Sequence, residues 1–599
     1  MEKLGSLEPA HPSSGAGPVA GVSVARTAGT EGDEAAVSSK LFRCACVRRW
    51  LPLAYREELY QVLRLTGPLL LSRVLYFLLP FVSTIFCGHI GNAELAGYAL
   101  ASATVAITTT ATGYGFVLAC DTLISQTFGS KNMKRVGVIL QRSSLILLFL
   151  CLPCWGLLIN TQNLLLILYQ ENEVARGHQF DLKNKNPLCH FLLQAMFLHM
   201  LQVAYLQNQG IILPQLYTAA AANIFNLGAN YVLIFSLELG VVGSAIAHSL
   251  SQIATCLLLF GYIRWKKLHQ QTWEGWSTEC LQEWGSYMKL AIPSTFMVCF
   301  EWWIWEIGGF LAGVLGEDDL AAQHVLLELG TLSYMFPLGV HAAACVRVGN
   351  ALGAGNTTRA ILTCKVALVL SGVLAVFQGI VIAGCKSVLG YIFTSDEKIV
   401  EIVSENLTVY TFLQFFDALL CVCSGILVGS GMQKIAALSN LVCYYCIGLP
   451  VGIALMFAAK LRILGLWLGL LICAFLETGF FLFLIYKLNW KKITHKQHLC
   501  TLKAQLDTEK APKADGYTGH EQRKKTSSTK TQALLSVSEL ILRRGLIFLV
   551  SVLILAIGVA FHIAFPVPEP SAHSRANFTL NRANDSSPTP TPLAPTPNL

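Results

Sequence analysis

The sequence predicts an all-α integral membrane protein of two pseudo-symmetric six-helix bundles followed by a thirteenth membrane helix, and three observations carry that prediction. Hydrophobic residues make up 54% of the 599 and charged residues 13%, a balance too apolar for a soluble core of this length. Apolar runs near the ~20 residues a helix needs to cross a bilayer recur between Gly, Pro and basic clusters. Landmarks of the first half return about 225 positions later in the second.

The spans read in order as Thr66 to Cys87, Leu95 to Ser125, Val136 to Ile159, Leu188 to Leu206, Leu213 to Phe235 and Val242 to Ile263. A second set follows: Tyr287 to Leu315, Leu320 to Val346, Val366 to Cys385, Val409 to Leu427, Ile435 to Phe457 and Gly465 to Tyr486. Residues 1–65 then form an amino-terminal region, 66–263 and 287–488 the two bundles, and 264–286 the loop between them. Lys, Gln, Thr and Ser dominate 489–545, which reads as a disordered linker before the last span at 546–567 and a tail at 568–599.

Charge fixes the expected orientation. The first sixty residues are polar and lack the apolar core of a cleavable signal peptide, which places the amino terminus in the cytosol. Lys131, Lys134 and Arg135 after the second span, Arg264, Lys266 and Lys267 after the sixth, Arg347 and Arg359 after the eighth, and Lys491 and Lys492 after the twelfth all fall on the same side. Thirteen spans put the carboxyl tail outside, where Asn577-Phe-Thr and Asn584-Asp-Ser match the glycosylation sequon.

The repeat is visible residue by residue. Pro68, Gly91, Leu95 and Ala96 return as Pro293, Gly316, Leu320 and Ala321; Ala119-Cys120 returns as Ala344-Cys345, and the turn at Gly129 answers that at Gly353. An even number of spans per copy makes the repeats parallel, related by an axis along the membrane normal, with a cavity expected between the lobes. Such a duplication suits alternating access.

Carboxylates inside spans are expensive in hydrocarbon and are functional hypotheses by default. The second bundle carries Glu301 and Glu306 in FEWWIWEIGGF, Glu328 in the eighth span and Asp417 in the tenth. Glu301 and Glu306 stand about 140° apart around a helix, so they can flank a wide cavity but not share one narrow stripe. Desolvation favours the neutral form of a carboxyl, which suits such groups to take up and release protons while competing for a cation. Trp302 and Trp305 offer aromatic faces to an organic cation. Their counterparts in the first bundle are not acidic: Tyr76 and Phe81 stand 225 positions before Glu301 and Glu306.

Arg73 and Glu477 read as internally paired or as lining the cavity, with pairing favoured, Asp121 as a structural group near a span end where solvation is cheap, and Asn223, Asn226 and Asn230 as amides that join helices or meet substrate. Most of the nineteen cysteines lie in apolar runs, where a thiol acts as a small hydrophobe, and none has metal-site spacing. No nucleophile constellation suggests an enzyme. Basic residues beside apolar runs form no stripe for nucleic acid.

TIFCGHIG, ACDTLISQTFGS, VGVILQRS, YLQNQGIILPQ, EWWIWEIGGFLAG, VRVGNALGAG and YYCIGLPVGIALMF together resemble the vertebrate members of the multidrug and toxin extrusion (MATE) family, from Gly67 to Lys492. The resemblance implies an antiporter that exports organic cations (drugs, toxins and metabolites) in exchange for protons across an apical plasma membrane. The proton is then the coupling ion, and no other cofactor or metal is implied. It also implies roles for Glu301, Glu306, Glu328 and Asp417 in binding proton or cation, and functional sensitivity at Cys87 and Cys120. Asn226 and Gln414 join these cysteines as candidate substrate contacts. The sequence departs from the family's pattern at Arg73, where relatives resemble one another in carrying Gln, at Gln414 for His, at Val428 for Arg, and across 177–200. That last segment raises the alternative of a transport-impaired isoform. A lipid-linked oligosaccharide flippase is the other alternative, and the acidic second bundle opposes its phosphate substrate.

Overall fold

The computed structural model describes residues 52–90, 103–160, 186–394, 396–509 and 537–565. The chain divides into two compact units, Met1–Gln61 and Val62–Leu599. Described residues of the first unit are the opening turns of a helix; the rest of this section concerns the second.

Every described element is a helix, and no strand occurs among the described residues. In chain order these are α1 (Leu53–Ile90), α2 (Ala103–Gly129), α3 (Met133–Ile159), α4 (Asn186–Asn208), α5 (Leu213–Ser236), α6 (Gly240–Trp265) and α7 (Trp284–Leu315). They are followed by α8 (Glu317–Gly353), α9 (Thr357–Leu389), α10 (Glu397–Ser430), α11 (Gln433–Ala458), α12 (Arg462–Lys487), α13 (Trp490–Glu509) and α14 (Val537–Ala564). Over their described residues twelve of these are long and apolar enough to cross a membrane, and α4, a helix of 23 residues, occupies the place of the fourth predicted span.

Helix α4 carries Gln194, His199, Gln202, Gln207 and Asn208 among its apolar residues. These amides and the imidazole lower its hydropathy, yet α4 packs inside the first bundle, with Phe197, Leu201 and Leu206 almost fully buried. Gln202 donates to the Cys256 sulfur of α6 at 3.6 Å, and Asn208 to the Asp121 carboxylate of α2. Polar side chains that find partners on neighbouring helices remove the penalty of an amphipathic sequence in the bundle.

The repeat reappears in backbone detail. Asn132 caps α3 by accepting from the Arg135 amide at 3.2 Å, and Asn356 caps α9 by accepting from the Arg359 amide at 3.0 Å. The residue before each cap, Lys131 and Gly355, takes the left-handed conformation with φ of 62° and 75°. A second turn, which composition does not reveal, follows the same rule. Each of α5 and α11 ends in a π-helical turn, Val232–Ser236 and Ala454–Ala458, and Glu238 and Lys460 then adopt φ of 51° and 56°. The duplicated fold therefore extends through the fifth and sixth helices of each bundle, although the residues at these turns share little chemistry.

The two bundles meet along α2, α7 and α8. Near their basic ends, α2 and α8 cross reciprocally: a Cβ on Gly129 would fall 2.1 Å from the Asn350 carbonyl oxygen, and one on Gly353 would fall 1.9 Å from that of Gln126. Gln126 and Asn350 are themselves repeat mates, 224 positions apart like Gly129 and Gly353. The crossing thus has the two-fold form that a parallel duplication dictates. Thr122 donates to the Val428 carbonyl at 2.8 Å and Gln126 to that of Gly429 at 3.0 Å, so the α10–α11 turn closes the same end.

Gly353→Ala is expected to force the backbones of α2 and α8 apart, costing about 1–3 kcal/mol as overpacking and lowering the melting temperature in detergent. Gly261→Ala, on an open face of α6 with no atom within 4 Å of the added methyl, is the control and is expected to leave the melting temperature unchanged or raise it slightly.

Two features differ from the sequence expectation. The linker beginning at residue 489 is not disordered throughout, because α13 occupies Trp490–Glu509. Composition concealed an anchoring face: Trp490 and Thr494 are buried, Gln497 donates to the Ser430 carbonyl at 3.3 Å, and the His498 Nδ1 lies 3.0 Å from the Gly353 carbonyl oxygen. The final span, α14, docks on α3 where small residues coincide. Asn160 donates to the Gly558 carbonyl at 2.8 Å, and Arg544 donates to the Leu281 carbonyl at 3.0 Å while lying 4.5 Å over the Trp284 ring. Asn577, Asn584 and residues 177–185 lie outside the described residues.

Candidate functional site

Helix α7 brings Glu301 into the second bundle, where the Tyr334 hydroxyl of α8 donates to its carboxylate at 2.9 Å. Asp417 of α10 lies within electrostatic range of Glu301. Glu477 of α12 lies within range of both. Three carboxyl groups from three helices therefore converge, and Tyr444 of α11 lies within range of all of them.

A cavity of about 10 Å³, at the lower limit for one water molecule, opens here between Glu301, Leu420, Cys421, Ser424, Asn440, Tyr444 and Phe481. Its walls are held by side chain to backbone bonds. Asn440 donates to the Met297 carbonyl at 3.0 Å, and Tyr445 on the next turns donates to that of Phe300 at 3.3 Å, tying α11 to the turn of α7 that precedes the acidic residue. His341 Nδ1 sits 2.8 Å from the Cys421 carbonyl oxygen and ties α8 to α10. This space fits a proton or a water and excludes an organic cation. A wider open groove of about 880 Å³ runs between Asn356, Thr358, Leu488 and Lys491, at the junction of α9 with α12 and α13, and none of the membrane carboxylates lines it.

The structure does not gather all four carboxylates singled out in the sequence. Glu301 and Asp417 come together, whereas Glu306 and Glu328 are half-buried and do not join them. The near-opposite placement of Glu301 and Glu306 around α7 accounts for the separation. Glu477 takes the third place in the cluster. It is fully buried and pairs with no basic side chain among the described residues; the Ser439 hydroxyl of α11 faces it without forming a hydrogen bond of full geometry.

The other candidates are distributed as follows. Trp302 stacks on Tyr114 of α2 with ring centroids 6.1 Å apart, at the seam between the bundles. Trp305 packs against Trp467 of α12 at 5.8 Å inside the second bundle, so the two indoles do not form one cage. Asn226 is fully buried and donates to the Leu79 carbonyl at 3.0 Å, while Asn230 and Ser251 donate to its amide oxygen at 3.0 and 3.1 Å. Gln414 is buried and donates to the Ala375 carbonyl at 2.8 Å, joining α10 to α9. Cys87 and Cys120 are also fully buried. In this conformation all four serve packing between helices rather than an open surface. Among the described residues no group of three or more His, Cys, Asp or Glu side chains is placed to hold a metal ion.

The first bundle holds its own polar set. Asp121 is not solvated, as its position near a span end suggested, but buried and bonded by Asn208. Tyr76 donates to Gln252 of α6 at 3.3 Å and stacks on His199 of α4 at 5.6 Å. Asp121 and Tyr76 are visible in the sequence, but their partners His199 and Asn208 are not, because they lie on α4, whose pattern departs from that of the neighbouring spans.

The MatE family model matches residues 68–232 and 293–454. The two matched segments begin at the repeated prolines and end at the repeated π-helical turns. Multidrug and toxin extrusion protein 1 of Danio rerio is 48% identical over 547 residues, which cover 86% of this chain and 92% of that protein. The Homo sapiens protein of the same name is 44% identical over 539 residues, covering 84% and 93%. Among solved structures, the eukaryotic MATE transporter AtDTX14 superposes with a TM-score of 0.70 at 28% identity, over 75% of this chain and all of that one. The Vibrio cholerae MATE transporter VcmN in its bent form shares the fold with a TM-score of 0.62 at 15% identity, over 75% of this chain and 99% of that one.

Proposed function

This chain belongs to the MATE family of multidrug and toxin extrusion transporters, and from that premise we propose that it exports organic cations in exchange for protons. The observation that carries the reading is the convergence of Glu301, Asp417 and Glu477, beside a space lined by Glu301 that admits little more than one water. Ionised, the cluster gives the second bundle a negative potential that draws an organic cation into the cleft between the lobes. Protonated, it loses that potential, and the cation leaves. One site thereby couples two opposite fluxes without both ligands meeting.

The reciprocal crossing of α2 and α8 at Gly129 and Gly353 supports a state closed at the basic, cytosolic end. Opening toward the cytosol then requires this crossing to separate, and the α10–α11 turn with it. The basic loops favour a cytosolic amino terminus and an extracellular carboxyl tail, in keeping with export across a plasma membrane, apical in a polarised cell.

Uptake of radiolabelled tetraethylammonium into cells expressing the chain tests the reading, with external pH stepped from acidic to alkaline. Uptake is expected to rise several-fold with alkaline external pH, because protons leaving the cell drive cations inward. Surface-exposed protein with uptake indifferent to pH overturns proton exchange.

A further inference from the structure

We propose that α13 bolts the cytosolic gate: Gln497 and His498 position it beneath the α2–α8 crossing, and α13 must part from α2 before the bundles open at that end. The proposal deepens the antiport reading and rests on its assignment of the basic end to the cytosol.

The last four carbonyls of a helix have no partner within the helix. At the end of α10, three in succession are reached by side chains of other elements. Thr122 of α2 donates to the Val428 carbonyl at 2.8 Å, Gln126 of α2 to that of Gly429 at 3.0 Å, and Gln497 of α13 to that of Ser430 at 3.3 Å. The final carbonyl of α8, that of Gly353, lies 3.0 Å from the His498 Nδ1; a carbonyl only accepts, so that nitrogen carries the proton. Two adjacent residues of α13 thus cap the ends of two helices, and both ends abut α2.

Helix α13 lies against α2 of the first bundle as well as against α8 and α9 of the second. A Cβ built on Gly431 would stand 3.2 Å from the Gln497 amide nitrogen and 3.7 Å from that of Gln126, so the two side chains reach one point from opposite bundles. The other bonds of α13 fix its corner with α12: the Trp490 indole donates to the Ile485 carbonyl at 3.0 Å, and Asn489 accepts from the Lys492 amide at 3.1 Å. Lys491, Lys492 and Lys496 are exposed on its outer face. A helix tied to the second bundle by two caps and a corner moves with that bundle, so rocking the bundles apart strips α13 from α2. Its packing on α2 exists only in the closed state and biases the equilibrium toward it.

Two measurements test the bolt. In Gln126→Cys/Gln497→Cys the introduced thiols are joined by ethane-1,2-diyl bismethanethiosulfonate, a short reducible cross-linker, with each single variant under the same reagent as the background. Linked protein is expected to lose at least about nine-tenths of pH-driven tetraethylammonium uptake and to recover it on reduction, because a fixed α13–α2 contact forbids the rocking. Linked protein that transports as fast as the reduced form, or a pair that cannot be linked, overturns the proposal. The second measurement needs no transport. Ser125 is fully buried beside Gly349 at the α2–α8 seam, so in purified Ser125→Cys this thiol reacts with N-ethylmaleimide only while the seam is open. Adding Gln497→Ala and His498→Ala removes both caps and is expected to speed labelling at residue 125 about threefold to tenfold, the scale of one or two hydrogen bonds. The fully buried Cys151 of α3, read in the same peptide mass spectra, is expected to label as before. Equal acceleration at both positions is general loosening and overturns the positioning role, as does unchanged labelling at residue 125. Wild-type uptake indifferent to pH overturns the antiport reading instead, and labelling at residue 125 then decides the role of α13 by itself.

Discussion

Glu301→Gln is expected to abolish pH-driven cation uptake while the protein still folds and reaches the cell surface. The argument has two parts. Gln keeps the size of the side chain and an acceptor oxygen for the Tyr334 hydroxyl, which donates to Glu301 at 2.9 Å, so the α7–α8 contact survives. What disappears is a group able to exchange a proton for a cation. Losing a desolvated charge partner costs about 2–5 kcal/mol, so kcat/KM for tetraethylammonium should fall by about thirtyfold to several thousandfold. Tyr334→Phe removes the hydroxyl and keeps the carboxyl, and should cost much less. Surface biotinylation, the melting temperature in detergent and the pH-step uptake together check this result. Transport that keeps its pH dependence in Glu301→Gln removes Glu301 from the coupling site.

Much of this architecture was legible because span length, charge bias and repeat spacing are local properties of the chain. The helices from α5 through α12 appear at or near the bounds that apolar runs predicted, extended by a turn or more where polar residues continue a helix beyond the hydrocarbon, as at Glu317–Gly353. The landmark pair Gly129 and Gly353 turned out to be where the two copies touch. Partnership, by contrast, depends on the tertiary fold. Glu306 and Glu328 looked equivalent to Glu301 and Asp417 because each is a carboxylate in an apolar run, and only the rotation of α7 and the crossing of α10 with α12 separate them. Gln414 and Asn226 resembled cavity residues, yet both are occupied by backbone carbonyls of adjacent helices. The turns at Glu238 and Lys460 escaped notice because a left-handed residue next to a π-helical turn is fixed by helix packing, not by residue type. Helix α13 was hidden by composition, since its anchoring face consists of a few residues, Trp490, Thr494 and His498, spaced at helical intervals within a polar stretch.

Glu477 carries the second large expected effect, and there stability and transport should move in opposite directions. Its side chain is fully buried, and its carboxyl oxygens make no hydrogen bond of full geometry among the described residues, with only the Ser439 hydroxyl of α11 facing them. Burial of an unsatisfied polar group costs about 1–3 kcal/mol, so Glu477→Leu, close in volume, should raise the melting temperature. Glu477→Gln leaves an unsatisfied amide in the same place and should bring little or no gain. If the carboxyl is part of the proton site, both variants lose at least about tenfold in pH-driven uptake, because neither can exchange a proton. A group retained at a cost to folding and required for exchange is what a proton site in a membrane demands. Higher stability in Glu477→Leu with undiminished uptake would instead reduce the coupling site to Glu301 and Asp417. Lower stability in both variants, with uptake falling only in step with surface protein, would make Glu477 a structural group whose partner forms in another conformation of the cycle.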